Sequence, residues 1–462
     1  MAYQNLLTNG SKVTMIGEIY YSPNAVLLSN QNNPLYTTYC FLGKVGPWPN
    51  DANPPLPTQD QSYLKQVFKR IFAVKKLTSN NISPVIPRID WTANTVYDYY
   101  QDSVYMGQKD INGNLVYSFY VKNKYDQVFK CLWNNNGRVS TDEPYFEPGS
   151  YNTNNVYIGP NDGYKWKYMY VIDSGKKNLF MDSNWMPVPL VNFGPNPLVS
   201  SAGYGNIDVI NLTNSGNNYN QSVTPITITI VGDGTGATAI PLISNNAIID
   251  IEVTGTGTNY TYANVIINGS GTGATAIAPV SPIGGHGFDP ISELACSHVM
   301  YSVEFNGSEG GLLPTGTTSN PVEFHQIGLL VNPVDQSSSP NPANTSVYST
   351  TTDVYVASGS GSFTNDEIVY QSSDQTLANA TFSATVLFFD PGTNVIYTIN
   401  TTGTLTSNKQ IYGQSSGTAR TVLTSSLPTF EIMSGYISYI ENLSAVQRSA
   451  DGIEQFRFVL SL

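Results

Sequence analysis

The chain has 462 residues, enough for about three domains, with 21 basic and 33 acidic side chains, a net charge of −12 and only 12% charged residues. Aromatic residues reach 12%, including 31 Tyr, and hydrophobic residues 40%, so the chain can pack a core and is not a disordered polymer. A pI near 4.6 argues against nucleic acid as the main partner, and no apolar run of about 18 residues exists to insert in a membrane as a helix.

Cys40, Cys131 and Cys296 are too few and too widely spaced for a disulfide framework or a zinc pattern. Residues 1–15 lack the basic stretch and apolar run of a signal peptide, and together these features predict synthesis in a reducing cytoplasm. The place of the missing charge is taken by Asn, Ser, Thr, Gln and Gly, which favour turns and strand faces over exposed helices. The expectation is a mainly β, multidomain protein: a β-sandwich-like host with minor α, plus two inserted small β modules.

In chain order, the Pro-rich stretch from Pro47 to Pro57 reads as an extended linker. It leads to a predicted helix over 62–78, where Leu64, Val67, Phe68, Ile71, Val74 and Leu77 recur at helical spacing and Ser62 can serve as N-cap. Lys65, Lys69, Arg70, Lys75 and Lys76 fill much of the remainder, either as a solvated face or as a basic face for an acidic partner. Residues 83–190 change to short strand-like runs and hold four of the five tryptophans, so the best-packed core is expected there. Residues 116–121 and 127–133 are two strand candidates joined by a hairpin connection, and the Asn134, Asn135, Asn136, Gly137 run supplies a turn tolerant of positive φ. Lys165 and Lys167 alternate with Tyr164, Trp166 and Tyr168, which on a strand gives a charged face and an aromatic face, the latter a buried row or a cation-binding or stacking site.

Two stretches are internally repetitive. The heptapeptide GTGATAI occurs at 234–240 and again at 271–277, 37 positions apart, and Asn-Tyr at Asn218-Tyr219 and Asn259-Tyr260, 41 apart. Residues 361–370 and 403–412 align at a spacing of 42. Two copies are too few for a free-standing solenoid, so each pair is read as a small β module inserted in a loop of a host. The resulting division is host at 1–199, module at 200–282, host at 284–349, module at 350–428 and host at 429–462.

The residues that could carry chemistry give little. Cys296 and His298 share a strand face near His286, but a zinc site would need Asp289 or Glu293 at no recognised spacing, and His325 stands apart. Gly232, Gly234 and Gly255 lie between strand-like runs, without the helix a phosphate loop requires. Acidic pairs such as Asp142/Glu143, Asp98/Asp102 and Asp366/Glu367 can be named, but nothing in the sequence gathers them in a cleft. A non-enzyme without cofactor, catalytic group or metal is expected.

Several segments outside the repeats share a pattern: residues 41–49 with Lys44, Trp48 and Pro49; 87–92 with Asp90 and Trp91; and 96–98 with Tyr97 and Asp98. It continues through 120–132, the turn ending at Gly137, and 162–170 with Asp162, Gly163, Tyr164, Lys165 and Trp166. Gly284, Gly285, His286 and Gly287, then Glu293-Leu294, residues 435–441, Arg448 and Glu454 complete it. In this order they resemble the dimeric baseplate wedge subunit of T-even-like contractile-tailed bacteriophages, over about 300 of the 462 residues. Residues 451–454 depart from the family, and the two modules have no counterpart in the shorter T-even protein. The resemblance implies a homodimer in the virion's tail baseplate, assembled in the host cytoplasm with other baseplate wedge proteins, that moves in the rearrangement triggering sheath contraction. The alternative is a tail adhesin or a glycan-binding or glycan-cleaving tailspike, and glycan contact confined to the two modules would make a hybrid, a wedge subunit with accessory carbohydrate-binding domains.

Overall fold

The computed structural model describes residues 9–21, 37–43, 46–150, 154–190, 203–317, 320–336, 342–449 and 451–462. Lys44, one of the residues that carry the resemblance, lies outside them. Strands account for 45% of the chain and helices for 8%, so the protein is mainly β.

The chain begins with α1 (Asn9–Tyr21), β1 (Thr38–Gly43), α2 (Gln61–Arg70), β2 (Ile71–Lys76) and β3 (Ile82–Pro87). It continues with β4 (Tyr120–Lys122), β5 (Gln127–Trp133), β6 (Val156–Ile158), β7 (Lys165–Val171), α3 (Ser174–Phe180) and β8 (Trp185–Pro187). The first repeat region holds β9 (Asn211–Asn217), β10 (Thr227–Gly232), β11 (Thr235–Ser244), β12 (Ala247–Thr258), β13 (Ala263–Asn268) and β14 (Thr272–Ile277). There follow α4 (Pro290–Glu293), β15 (His298–Asn306), β16 (Gly316–Thr317), β17 (Asn320–Val331) and β18 (Val347–Ser349). The second repeat region is β19 (Thr352–Val356), β20 (Ile368–Gln371), β21 (Phe382–Asp390), β22 (Val395–Gly403), β23 (Gln410–Gly413) and β24 (Ala419–Ser426), and the chain closes with β25 (Tyr436–Arg448) and β26 (Ile453–Ser461). Two compact units result: residues 1–18, 83–300 and 459–462 form one, and 19–82 with 301–458 the other.

In the first unit a four-stranded sheet runs β4-β5-β7-β6. The predicted hairpin is its first pair, with Tyr120 opposite Lys130 and Lys122 opposite Val128, although the leading strand is only three residues long instead of spanning 116–121. The turn after β5 places Asn135, Asn136 and Gly137 at φ 48°, 59° and 80°, which Asn and Gly tolerate best. All seven residues of β5 are buried, so this strand is covered on both faces.

The first repeat pair forms a sheet of order β10-β13-β14-β9 and a hairpin β11-β12. The copies interlock: β9 of the first copy pairs with β14 of the second, and β12 of the second pairs with β11 of the first. Tyr219 packs where a Cβ on Gly271 would sit, 2.4 Å from its ring, and Tyr260 does the same to Gly234, also at 2.4 Å. Each tyrosine hydroxyl accepts a backbone N–H from the other copy, Ala274 to Tyr219 and Ala237 to Tyr260, both at 3.4 Å. The spacings of 41 and 37 differ because the connection at 220–226 is longer than its counterpart at 261–262. Threonines and isoleucines alternate along β10, so Ile228 and Ile230 face the core while Thr227 and Thr229 face out.

In the second unit, β16-β17-β1-β2-β18 form a sheet with β25 on the other side of β17. The predicted helix over 62–78 is corrected here: it stops at Arg70, and Ile71–Lys76 is a strand paired with β1, Phe41 opposite Val74. Ile71, Phe72, Ala73 and Val74 are all buried, and a run apolar on both faces with β-branched and aromatic members is better placed in a sheet interior than on a helix with one buried stripe. The cap is Asp60, not Ser62; its Oδ1 accepts the Tyr63 N–H at 2.8 Å. The second repeat pair closes a six-stranded barrel, β19-β22-β21-β20-β23-β24. Its copies meet about a pseudo-twofold, Tyr370 opposite Tyr412, around a core that includes Val354, Ile396, Val369, Ile411, Val386 and Val422.

The reciprocal tyrosine–glycine contacts predict matched effects for Gly234→Ala and Gly271→Ala. Each added methyl meets a ring with no room to move, so each should destabilise the first repeat region by about 1–3 kcal/mol, seen as equal downward shifts of its unfolding transition in calorimetry. Unequal shifts would contradict the interlocked arrangement.

Candidate functional site

Most of the residues of the first unit that carry the resemblance converge on the β4-β5-β7-β6 sheet. On one face, Trp166 stacks on Tyr164 with ring centroids 5.5 Å apart and meets Tyr97 edge-on at 5.4 Å. Trp91 closes this cluster and donates its indole N–H to Ser140 Oγ at 3.0 Å. Ser140 Oγ in turn donates to Asp162 Oδ2, which also accepts the N–H groups of Thr141 at 2.7 Å and Asp142 at 3.0 Å, while Oδ1 accepts that of Tyr164 at 2.9 Å. Gly163, at φ 72°, lets Asn135 close over the turn; a Cβ there would lie 2.7 Å from the Asn135 amide. Asp98 accepts the Ser118 N–H at 2.8 Å, and Asp90 pairs with Arg88 and Lys122.

The other face holds what the sequence reading missed. Lys165 and Lys167 are not a charged outer face but are buried, at 4% and 8% exposure, beside Lys130 of β5 at 1%. Burying an ammonium group costs several kcal/mol unless it is paired and hydrogen-bonded, and each has a carboxylate. Lys165 bonds Asp250 Oδ1 at 2.8 Å and the Ile210 carbonyl at 2.7 Å; Lys167 bonds Asp208 Oδ1 at 3.2 Å and the Asn154 carbonyl at 2.7 Å. Lys130 lies 3.1 Å from Glu293 Oε2 and 3.2 Å from His286 Nδ1, and 4.2 Å above the Tyr100 ring, whose edge meets His286 at 4.8 Å. The same Nδ1 lies 3.3 Å from Glu293 Oε2, so this nitrogen stands between a group that only donates and one that only accepts, and each imidazole tautomer satisfies one of the two. Glu293 Oε1 accepts the Gly287 N–H at 2.7 Å, and Gly284, Gly285 and Gly287 take φ of 87°, 90° and 89°, which bends the chain tightly enough to carry His286 into the cluster.

Electrostatics follow from this packing. Burial and the Lys130 charge push His286 down to about 4. Burial alone would raise Glu293, but Lys130 and His286 override it and hold the carboxyl at about 2. Lys130 is lowered by burial against the attraction of Glu293. The cluster is therefore a neutralised internal network, with His286 uncharged.

The remaining candidates are absorbed locally. Cys296, a thiol pushed up to about 12 by burial, donates to the Val85 and His298 carbonyls at 3.3 and 3.5 Å, and the His298 ring packs on Trp185. His325 is buried, its Nε2 3.9 Å from Asp51. Among the described residues, no three His, Cys, Asp or Glu side chains gather as metal ligands. Asp142, Asp102 and Glu367 accept backbone N–H groups of Asn161, Val280 and Ser415 respectively, so these members of the acidic pairs fix loops. In the second unit, Trp48, next to Pro49, donates its indole N–H to the Leu443 carbonyl at 2.9 Å. Fully buried Arg448 bonds Glu454 at 3.1 Å and the Gly307 carbonyl at 2.6 Å. The signal for the buried lysines was present in one place: a single Lys inside the otherwise apolar run of β5.

Comparison with known protein families and with characterised proteins finds no match to this chain.

Two predictions follow from the charges. Glu293→Gln leaves Lys130 buried without a counter-ion and should cost about 3–5 kcal/mol, while adding Lys130→Met should restore much of that loss in denaturant titrations. From pH 6.5 down to about 4, unfolded chains protonate His286 and His298 while the fold keeps both neutral, so stability falls with falling pH in that window. His286→Asn should remove about half of the histidine-linked slope measured by pH-dependent unfolding, and an unchanged slope would show that this imidazole is not held neutral by the cluster.

Proposed function

We propose that the chain is a structural component of a contractile phage tail baseplate wedge, a homodimer that assembles with neighbouring wedge proteins and moves largely as a rigid body when the baseplate rearranges. The observation that carries the reading is the use of these residues: Trp91, Tyr97, Asp162, Gly163, Tyr164 and Trp166 build a buried scaffold on one face of the sheet, and residues 284–287 are fixed by Glu293 and Lys130 on the other. Residues fixed inside a scaffold suit an architectural protein whose shape is its function. The low charge supports permanent contacts, since exposed ionic groups are depleted at the cores of stable interfaces.

A second reading, glycan contact by the repeat modules, is favoured by outward faces rich in threonine, where Thr213 meets Thr275 and Thr238 meets Thr254 at hydroxyl distances of 2.7 and 2.8 Å. A glycan array probed with the full chain tests it, and no retained glycan removes it.

For the first reading, light scattering should return about 100 kDa, two chains of 50.3 kDa, and a map of intact tails should show the chain at the baseplate. A stable monomer together with a baseplate map lacking the chain overturns it.

A further inference from the structure

A cleft of about 380 Å³ opens in the first unit between β6 and β12. Its walls are aliphatic: Val156, Ile158, Val209, Ile251 and Val253. Its polar lining is Asn154, Lys165, Asp208, Glu252 and Thr254. Asp208 lies in the lining at 6% exposure; Oδ1 accepts from Lys167, and no hydrogen bond among the described residues engages Oδ2. Glu252 lines the cleft as an exposed carboxylate with no ion pair among the described residues. Lys165, also in the lining, is engaged by Asp250 and the Ile210 carbonyl. The charged lining is thus two carboxylates, Asp208 and Glu252, and one ammonium, Lys165, which Asp250 neutralises from outside the lining, in a chain of net charge −12.

We propose that this cleft receives an arginine side chain of a protein partner. An arginine is an apolar stem ending in a planar cation, and the cleft matches both parts: branched aliphatic walls for the stem and carboxylate oxygens for the guanidinium, which binds them by paired N–H donors. A sugar would find no aromatic platform in this lining, and a bare divalent cation would make no use of its aliphatic walls. The inference does not depend on the baseplate reading, because it names the chemistry of an anchor and not the partner's identity.

The test uses the full chain with methyl-labelled Ile and Val and titrates N-acetyl-arginine methylamide, with N-acetyl-norleucine methylamide and glucose as controls. Saturable shifts confined to methyls of Val156, Ile158, Val209, Ile251 and Val253, in the millimolar range expected of one side chain, support the proposal. Glu252→Gln, at an exposed position, should weaken binding roughly threefold, and Asp208→Asn roughly tenfold if its fold persists. The proposal is overturned if arginine gives no saturable shift at these methyls, if norleucine or glucose binds equally well, or if Glu252→Gln leaves the affinity unchanged.

Discussion

Three buried ammonium groups on the adjacent strands β5 and β7 set the terms for the first unit. Lys130, Lys165 and Lys167 are almost wholly buried, and each is neutralised by a carboxylate brought from elsewhere in the chain. Glu293 comes with the glycine turn at 284–287, Asp250 from β12 of the repeat region, and Asp208 from the segment leading into β9. One electrostatic constraint thereby fixes three segments that are far apart in sequence. Ion pairs of this kind add little net stability over an apolar core, yet removing one partner is costly, so their effect is to select a single arrangement. The repeat region is consequently seated on the sheet by specific contacts, including Asn211 to the Leu132 carbonyl and Tyr100 to the Val280 carbonyl.

The repeats solve a different problem. A strand pair with one apolar face is marginal alone, and a solenoid answers by stacking many copies. Here two copies suffice because each completes the other. In the first region the outer strands are exchanged and each tyrosine covers the partner copy's glycine; in the second, two three-strand copies close a barrel. Closure removes the free sheet edges that would otherwise invite pairing with other chains.

What the sequence made legible tracks local physics. The hairpin at 120–133 and the Asn-rich turn after it follow from turn chemistry and period-two patterning. The helix over 62–78 was overextended because Val67, Ile71 and Val74 satisfy helical spacing, whereas burial on both faces, a tertiary property, decides for a strand from Ile71. The aromatic side of β7 was legible and its lysine side was not. Alternation reveals that two faces differ, but only the carboxylates of Asp208 and Asp250, placed by the fold, make a lysine face tolerable inside.

The scarcity of charge and the burial of lysines are connected. With 54 charged residues in 462, committing cations such as Lys130, Lys165, Lys167 and Arg448 to internal partners leaves the outer faces of strands to threonine, asparagine and isoleucine. Such strand faces offer hydrogen bonds and apolar contact instead of charge, so a partner docking on them depends on short-range fit. The exceptions then matter more: against such strand faces, the carboxylates at the cleft beside β12 are a local feature that a cationic group can distinguish at close range.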